Sequence, residues 1–231
     1  MPEVTEKENE VASKSAVSRR QLMSMAGGTV ALGAVLAACG SDDSDSGTTG
    51  TATDNSGTTE SNPANADTST DMFGKGDLGI LNYALTLEYL ETAFYQAVIK
   101  SKLFKGSDLE AIKKFGSQEA DHVVALTDTV KKLGGKPAPM PKTEFPLMNA
   151  PQVLKLASTV ENLGAAAYLG QAPRIQSPEV LAAALSIHSV EARHAAALNT
   201  LLGKTIVPDG PFAKPAEAGM VLNAVQPFIV S

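Results

Sequence analysis

Two of the chain's three histidines follow a glutamate by three residues, in Glu119-Ala120-Asp121-His122 and Glu191-Ala192-Arg193-His194. On a helix, positions three apart share a face, so each pair aims a carboxylate and an imidazole at one point. Two further glutamates, Glu88 and Glu161, are each followed seven residues later by a tyrosine, Tyr95 and Tyr168. Glu88 to Glu119 is 31 residues and Glu161 to Glu191 is 30, so the pattern occurs twice at nearly constant offset, as an internal duplication leaves it. Four carboxylates and two imidazoles make two equivalent ligand sets for divalent cations. Without cations, the four ionised carboxylates would repel one another in a helical core and lose costly hydration. Two divalent ions bring four positive charges and leave the site formally uncharged. Mixed carboxylate and imidazole donors suit iron or manganese better than a soft, thiolate-preferring ion.

These residues fall on helical stripes. Leu81, Leu85, Glu88, Tyr95 and Val98 share one face of a helix over roughly 77–100. Ile112, Phe115, Glu119, His122, Leu126, Val130 and Leu133 do so in a second, with Ser107-x-x-Glu110 as its expected capping box and Gly134-Gly135 as its stop. Leu154, Ala157, Glu161, Gly164 and Tyr168 mark a third, opened by Pro151 and closed near Gly170. Val180, Ala184, Ile187, Glu191, His194, Leu198 and Leu201 mark a fourth, opened by Ser177-Pro178-Glu179 and stopped at Gly203. The Pro-rich stretch 134–150 is too long for a tight turn, whereas the other two connections are short. The expectation is an all-α fold: two antiparallel helix pairs joined by one long crossover between helices 2 and 3. A short C-terminal helix is expected around 216–225, with no function assigned to 204–231.

Around the six candidate ligands, other residues carry two readings each. Tyr95 and Tyr168 are either core aromatics or hydrogen-bond donors that orient Glu88 and Glu161. Glu91, three residues after Glu88, shares its face and is an alternate ligand. His188, three before Glu191, is a supporting hydrogen-bonding group or, the favoured reading, a core histidine. Asp121 and Arg193 sit one step from the ligand histidine and should point aside.

The chain has 231 residues, is 43% hydrophobic and carries a formal net charge of −6. The charge is uneven. From Ser41 to Asp71 there are seven acids and no base, while Met72 to Ser231 has 15 bases against 14 acids. The acidity therefore belongs to a tail, and no excess of Lys and Arg is present to bind nucleic acid. No Trp and 5% aromatics fit a core of packed helices. One cysteine excludes an intramolecular disulfide and a Cys-rich zinc or iron–sulfur site.

That cysteine closes a signal-like segment. Ser18-Arg19-Arg20-Gln21-Leu22-Met23 resembles a twin-arginine export signal, followed by the apolar stretch 22–38. Leu36-Ala37-Ala38-Cys39 resembles a bacterial lipoprotein cleavage box, which would make Cys39 an acylated N-terminus. The alternative is an uncleaved helix with an incidental Arg pair. Residues 40–71 are Ser, Thr, Asp, Gly and Asn with almost nothing apolar, a composition that reads as a disordered tether. The expected organisation is a signal with lipidation site over 1–39, a tether over 40–71, a four-helix bundle over 72–203 and an extension over 204–231.

The stretches Leu87-Glu88-Tyr89-Leu90-Glu91-Thr92-Ala93-Phe94-Tyr95 and Val160-Glu161-Asn162-Leu163-Gly164-Ala165-Ala166-Ala167-Tyr168, with the fourth helix's Glu-Ala-Arg-His, resemble the ferritin-like superfamily. The similarity is to its exported bacterial ferritin-like domain proteins, over roughly 77–202. The resemblance implies a ferritin-like bundle with a dinuclear iron (or manganese) centre, ligated by Glu88, Glu119, His122, Glu161, Glu191 and His194. It makes Glu119 and Glu191 the candidates for shared carboxylates. It also implies Fe(II), O2 or peroxide as reaction partners, and leaves a homodimer open. No rubredoxin-like module is present, and a lipid anchor is awkward for closing a storage shell. Three functions follow as expectations: an envelope-stress ferroxidase or peroxide scavenger, a non-catalytic metal-binding or structural protein, or a di-iron oxidase of an organic substrate. All three place the protein on the extracytoplasmic side of a bacterial membrane, held by Cys39.

Overall fold

The structure is a computed structural model that describes residues 68–230. The stretches read above as an export signal and, up to residue 67, a tether, with Cys39 between them, lie outside the described residues.

Four long helices account for most of the described chain: α1 (Gly76–Ser101), α2 (Gly106–Lys132), α3 (Ala150–Gln171) and α4 (Pro178–Leu201). α1 packs along α2 and α3 along α4 as two hairpins. Two apolar layers, each drawing on all four helices, fix their directions. One holds Leu81 and Leu85 of α1, Leu126 and Val130 of α2, Tyr168 of α3, and Val180 and Ile187 of α4. The other holds Phe94 and Val98, Ile112 and Phe115, Val153 and Ala157, and Leu198. α1 and α4 therefore run from the first layer to the second, and α2 and α3 run back. α2 ends in the layer opposite to where α3 begins, so the connection over 133–149 must travel the length of the bundle. A helix of this size is about 40 Å long at roughly 1.5 Å per residue, and an extended connection of that length spans it.

Local signals set the helix ends. Asn149 Oδ1 accepts from Gln152 N at 3.1 Å and Ser177 Oγ from Val180 N at 3.3 Å, each cap worth about 1 kcal/mol. At the end of α2, Gly135 N bonds to Val130 O and Gly134 N to Lys131 O, with Gly134 at φ 76°. The capping box expected at Ser107 does not form. The helix starts at Gly106, no side chain caps its first turn, and Ser107 Oγ lies 3.4 Å from Asp108 Oδ1. Leu133 and Leu201, expected on the core stripes, are 43% and 48% exposed because both fall in the last turn or beyond it.

α1 is buried almost all round rather than along one stripe. Its second face is covered by the C-terminal segment, where α5 (Ala218–Val225) sets Val221 and Val225 against Tyr83, Leu87 and Leu90. Ser69–Phe73 forms a 3-10 turn with Thr70 buried, so packing begins ahead of Met72. A two-residue ladder, absent from the helical reading, pairs β1 (Lys142–Thr143) of the crossover with β2 (Ile229–Val230). Asn82 pins the crossover to α1: its Nδ2 donates to Phe73 O and Lys136 O, and its Oδ1 accepts from Ala138 N at 2.8 Å. Asp77 does the same for the α3–α4 connection, accepting from Gln176 N and Ser177 N. No helix among the described residues is long and apolar enough to cross a membrane.

Gly170 is where the C-terminal segment docks, since Ala216 N donates to Ala166 O and a Cβ on residue 170 would stand 2.0 Å from Ala216 O. Gly170→Ala should therefore cost about 1–3 kcal/mol and speed proteolysis of the C-terminal segment. Thermal unfolding and limited digestion check this, and an unchanged midpoint with unchanged digestion would contradict it.

Candidate metal centre

Between the two apolar layers lies a polar one. α1 contributes Glu88, α2 Glu119 and His122, α3 Glu161, and α4 Glu191 and His194. All four glutamates are 0% exposed, and His194 is buried with them. Each Glu-x-x-His pair presents both groups on one helix face, and the antiparallel hairpins bring the two pairs to the same level.

His122 Nδ1 lies 2.9 Å from Glu119 Oε2, 3.1 Å from Glu191 Oε1 and 3.2 Å from Glu88 Oε2. His194 Nδ1 lies 2.8 Å from Glu119 Oε1 and 3.3 Å from Glu161 Oε2. Two overlapping sets of donors result, Glu88–Glu119–His122–Glu191 and Glu119–Glu161–Glu191–His194, and within each the ligand atoms lie within 4.8 Å of one another. Glu119 and Glu191 belong to both. Several of these atoms approach closely without hydrogen-bond geometry: Glu119 Oε1, Glu161 Oε2, both oxygens of Glu191, and His194 Nδ1. Buried carboxylate oxygens without a partner are costly, and a cation between them would satisfy all at once. The donor set thus fits two divalent, oxygen- and nitrogen-preferring ions.

The tyrosines hold the carboxylates from behind. Tyr168 Oη donates to Glu88 Oε1 at 2.6 Å, and Tyr95 Oη donates to Glu161 Oε1. Each tyrosine serves the glutamate of the other half, because its own is two helical turns away. Both are also core aromatics, buried in the two apolar layers. Gln118 escaped the sequence reading: its Oε1 faces His194 Nε2 at 2.9 Å, so the ring donates outward and turns Nδ1 toward the carboxylates. No spacing signal marks it beyond its place next to Glu119. Its duplicate position in α4 is Val190, so the two imidazoles are held differently. Phe115 lies against the His194 ring, with centroids 4.5 Å apart.

Glu91 is buried at 3% exposure beside the centre but outside both donor sets. His188 is neither in the centre nor in the core. It is half-buried, and its Nδ1 lies 3.0 Å from Ala165 O. Its side borders a groove of about 260 Å³ beneath the loop at 206–214. Asp121 and Arg193 are exposed.

The electrostatics of the metal-free site follow from crowding. Burial, then the neighbouring Glu191, lifts Glu88 from 4.5 to about 8. Burial likewise raises Glu161 and, more strongly, Glu191. Burial works against protonated histidine, yet contacts with Glu119, Glu191 and Glu88 push His122 up to about 12, and Glu119 and Glu161 push His194 up to about 10. Burial also opposes ionised Glu119, but its two histidine contacts outweigh this and hold it below the ordinary carboxylate range. Protons therefore stand in for metal ions.

A group whose pKa is raised on folding holds its proton more tightly in the folded chain, so its stabilisation is lost as pH rises. Glu88 loses its contribution between about 4.5 and 8, and the two histidines lose theirs from about 6.5 up to about 10 and 12. The metal-free protein should melt several degrees lower at pH 8 than at pH 5, at roughly 2–4 °C per kcal/mol. Added Mn(II) should recover more stability at pH 8 than at pH 5, because metal binding displaces protons. Melting curves at the two pH values, with and without the ion, decide this. A metal-free midpoint that rises with pH would contradict the account.

A family model described as a ferritin-like domain matches residues 76–204, which spans all four helices and all six donors. Among solved structures, one similar chain is a conserved hypothetical protein, rv2844, from Mycobacterium tuberculosis. It shows 20% identity and a TM-score of 0.49, covering 55% of this chain and 90% of that one. No curated protein matches. With more than half its length matched by the family model, the chain belongs to the ferritin-like domain family.

Proposed function

We propose that the bundle holds a dinuclear iron or manganese centre. We read the protein as an exported lipoprotein, anchored through Cys39, that oxidises Fe(II) or reduces O2 or peroxide in defence of the cell envelope. The observation that carries the metal reading is the pair of overlapping donor sets sharing Glu119 and Glu191, with unpartnered buried oxygens facing one another. In this reading Glu88 and His122 would hold one ion, Glu161 and His194 would hold the other, and Glu119 and Glu191, which belong to both donor sets, would serve either. Bound as Fe(II), such a pair supplies two electrons, enough to take O2 to peroxide or peroxide to water with two protons.

The chain's residues do the rest. Tyr95 and Tyr168 fix the outer carboxylates, Gln118 fixes the His194 ring, and the apolar layers above and below keep bulk water away. Water exclusion strengthens every charge interaction in the site. Size favours a small oxidant over an organic substrate. The cavities that reach Tyr168 and Glu91 are each about 20 Å³, room for about one water. The larger grooves, about 260 and 840 Å³, are lined by none of the six donors. The export and anchoring part rests on the twin-arginine-like and lipoprotein-like stretches ending at Cys39.

Glu119→Ala and Glu191→Ala should each lose most of the bound metal, while the exposed Asp121→Ala retains it. Tyr168→Phe should weaken metal binding by about 10–100-fold, the usual cost of removing a group that orients a ligand. Loaded anaerobically with Fe(II), the wild-type protein should consume O2 or peroxide faster than Fe(II) in buffer. Elemental analysis and an oxygen electrode read these outcomes. Equal metal content in the Glu119, Glu191 and Asp121 variants would overturn the ligand assignment, and metal-loaded protein without oxidant consumption would overturn the redox reading.

A further inference from the structure

Besides Gln118 and Val190, the duplication is broken at a second place that faces the centre. Positions 73 apart correspond in α1 and α3, as Glu88 with Glu161 and Tyr95 with Tyr168. The same offset pairs Glu91 with Gly164. Gly164 lies inside α3 without a positive φ, so nothing in the backbone calls for glycine there, and glycine inside a helix costs about 1 kcal/mol relative to alanine. Space explains it. A Cβ on residue 164 would stand 2.8 Å from Glu91 Oε1 and 3.4 Å from Glu191 Oε2. The missing side chain of one half is thus the room occupied by the extra carboxylate of the other.

Glu91 has no hydrogen-bond partner among the described residues, and its surroundings are burial and other glutamates, Glu191 first and Glu88 next. Glu191 Oε2, on the other side of the same slot, is also buried without a partner. Glu191 has His122 beside its other oxygen, but nothing positive among the described residues lies between it and Glu91, and two carboxylates converging in a core repel unless something positive joins them. A cavity of about 20 Å³, room for about one water, adjoins Glu91 on the side of Leu87, Leu163 and Val221.

We infer that Glu91 is a fifth carboxylate ligand, reaching the ion held by Glu88, His122 and Glu191 through the slot that Gly164 leaves open. This rests on the dinuclear reading above. It makes the two ion positions unequal, since the ion held by Glu161 and His194 has no counterpart to Glu91. Five carboxylates against two divalent ions also leave one surplus negative charge, which favours the more highly charged oxidised ions.

The test is a two-step titration of metal-free full-length protein with cobalt(II), followed by its visible absorption and by calorimetry. Wild type should bind two ions. Glu91→Gln should weaken one step by tenfold or more and leave the other within about threefold. Gly164→Ala, which leaves Glu91 in the chain but fills its slot, should weaken the same step, and it keeps the test open if Glu91→Gln does not fold. Helical circular dichroism confirms the fold of each variant. Two wild-type steps in folded Glu91→Gln, or equal weakening of both, overturns the assignment. If wild type itself binds no cobalt, the dinuclear reading fails and takes this inference with it.

Discussion

Everything in this bundle is arranged around carboxylates that repel one another in a place without water. Glu88, Glu119, Glu161 and Glu191 are fully buried between two apolar layers, and Glu91 is nearly so. An interior that is otherwise Leu, Val, Ala and aromatic cannot solvate such a cluster. Its charge must be matched by protons or by cations. In the absence of ions the histidines hold protons far above their ordinary range and most of the glutamates are pushed toward the neutral form. That is a costly way to fill a core, and replacement by aliphatic residues would pack as well. The expense makes sense where the cluster's purpose is to hold metal.

The scaffold follows from the same constraint. Six donors from four helices meet at one level only if the hairpins are antiparallel and in register, and that in turn requires a crossover running the length of the bundle. Asn82 and Asp77 fasten the crossover and the α3–α4 connection to α1. The C-terminal helix closes the second face of α1, which carries Glu88 and Glu91. Duplication supplied two matching halves, but they have diverged at the points nearest the centre. Gln118 supports one imidazole where Val190 offers no hydrogen bond to the other, and Glu91 is answered by Gly164.

Much of this was legible in the sequence because helical periodicity and metal-ligand chemistry leave short-range marks. Glu-x-x-His at matched spacing, placed where apolar residues belong, carries both the helix face and the ligand type. What was not legible is long-range or competitive. The C-terminal segment's docking on α1 depends on Gly170 and Ala216 meeting across 46 residues, which no local pattern encodes. The strand pair at Thr143 and Ile229 is equally remote. Ser107-x-x-Glu110 looks like a capping box, yet the chain enters α2 through Gly106 one residue earlier, so the serine is already inside the helix. The hydrogen-bond partners of Tyr95 and Tyr168 lie on the opposite hairpin, and sequence spacing alone does not say which glutamate each one reaches.

The central claim is that the buried acid cluster exists to hold two metal ions. The direct measurement is elemental analysis of the protein as purified, and again after anaerobic incubation with Fe(II) or Mn(II) and removal of the excess. The account predicts two ions of iron or manganese per chain. A chain that stays folded and binds none under either condition would contradict it, and the cluster would then be a proton-balanced core serving another end.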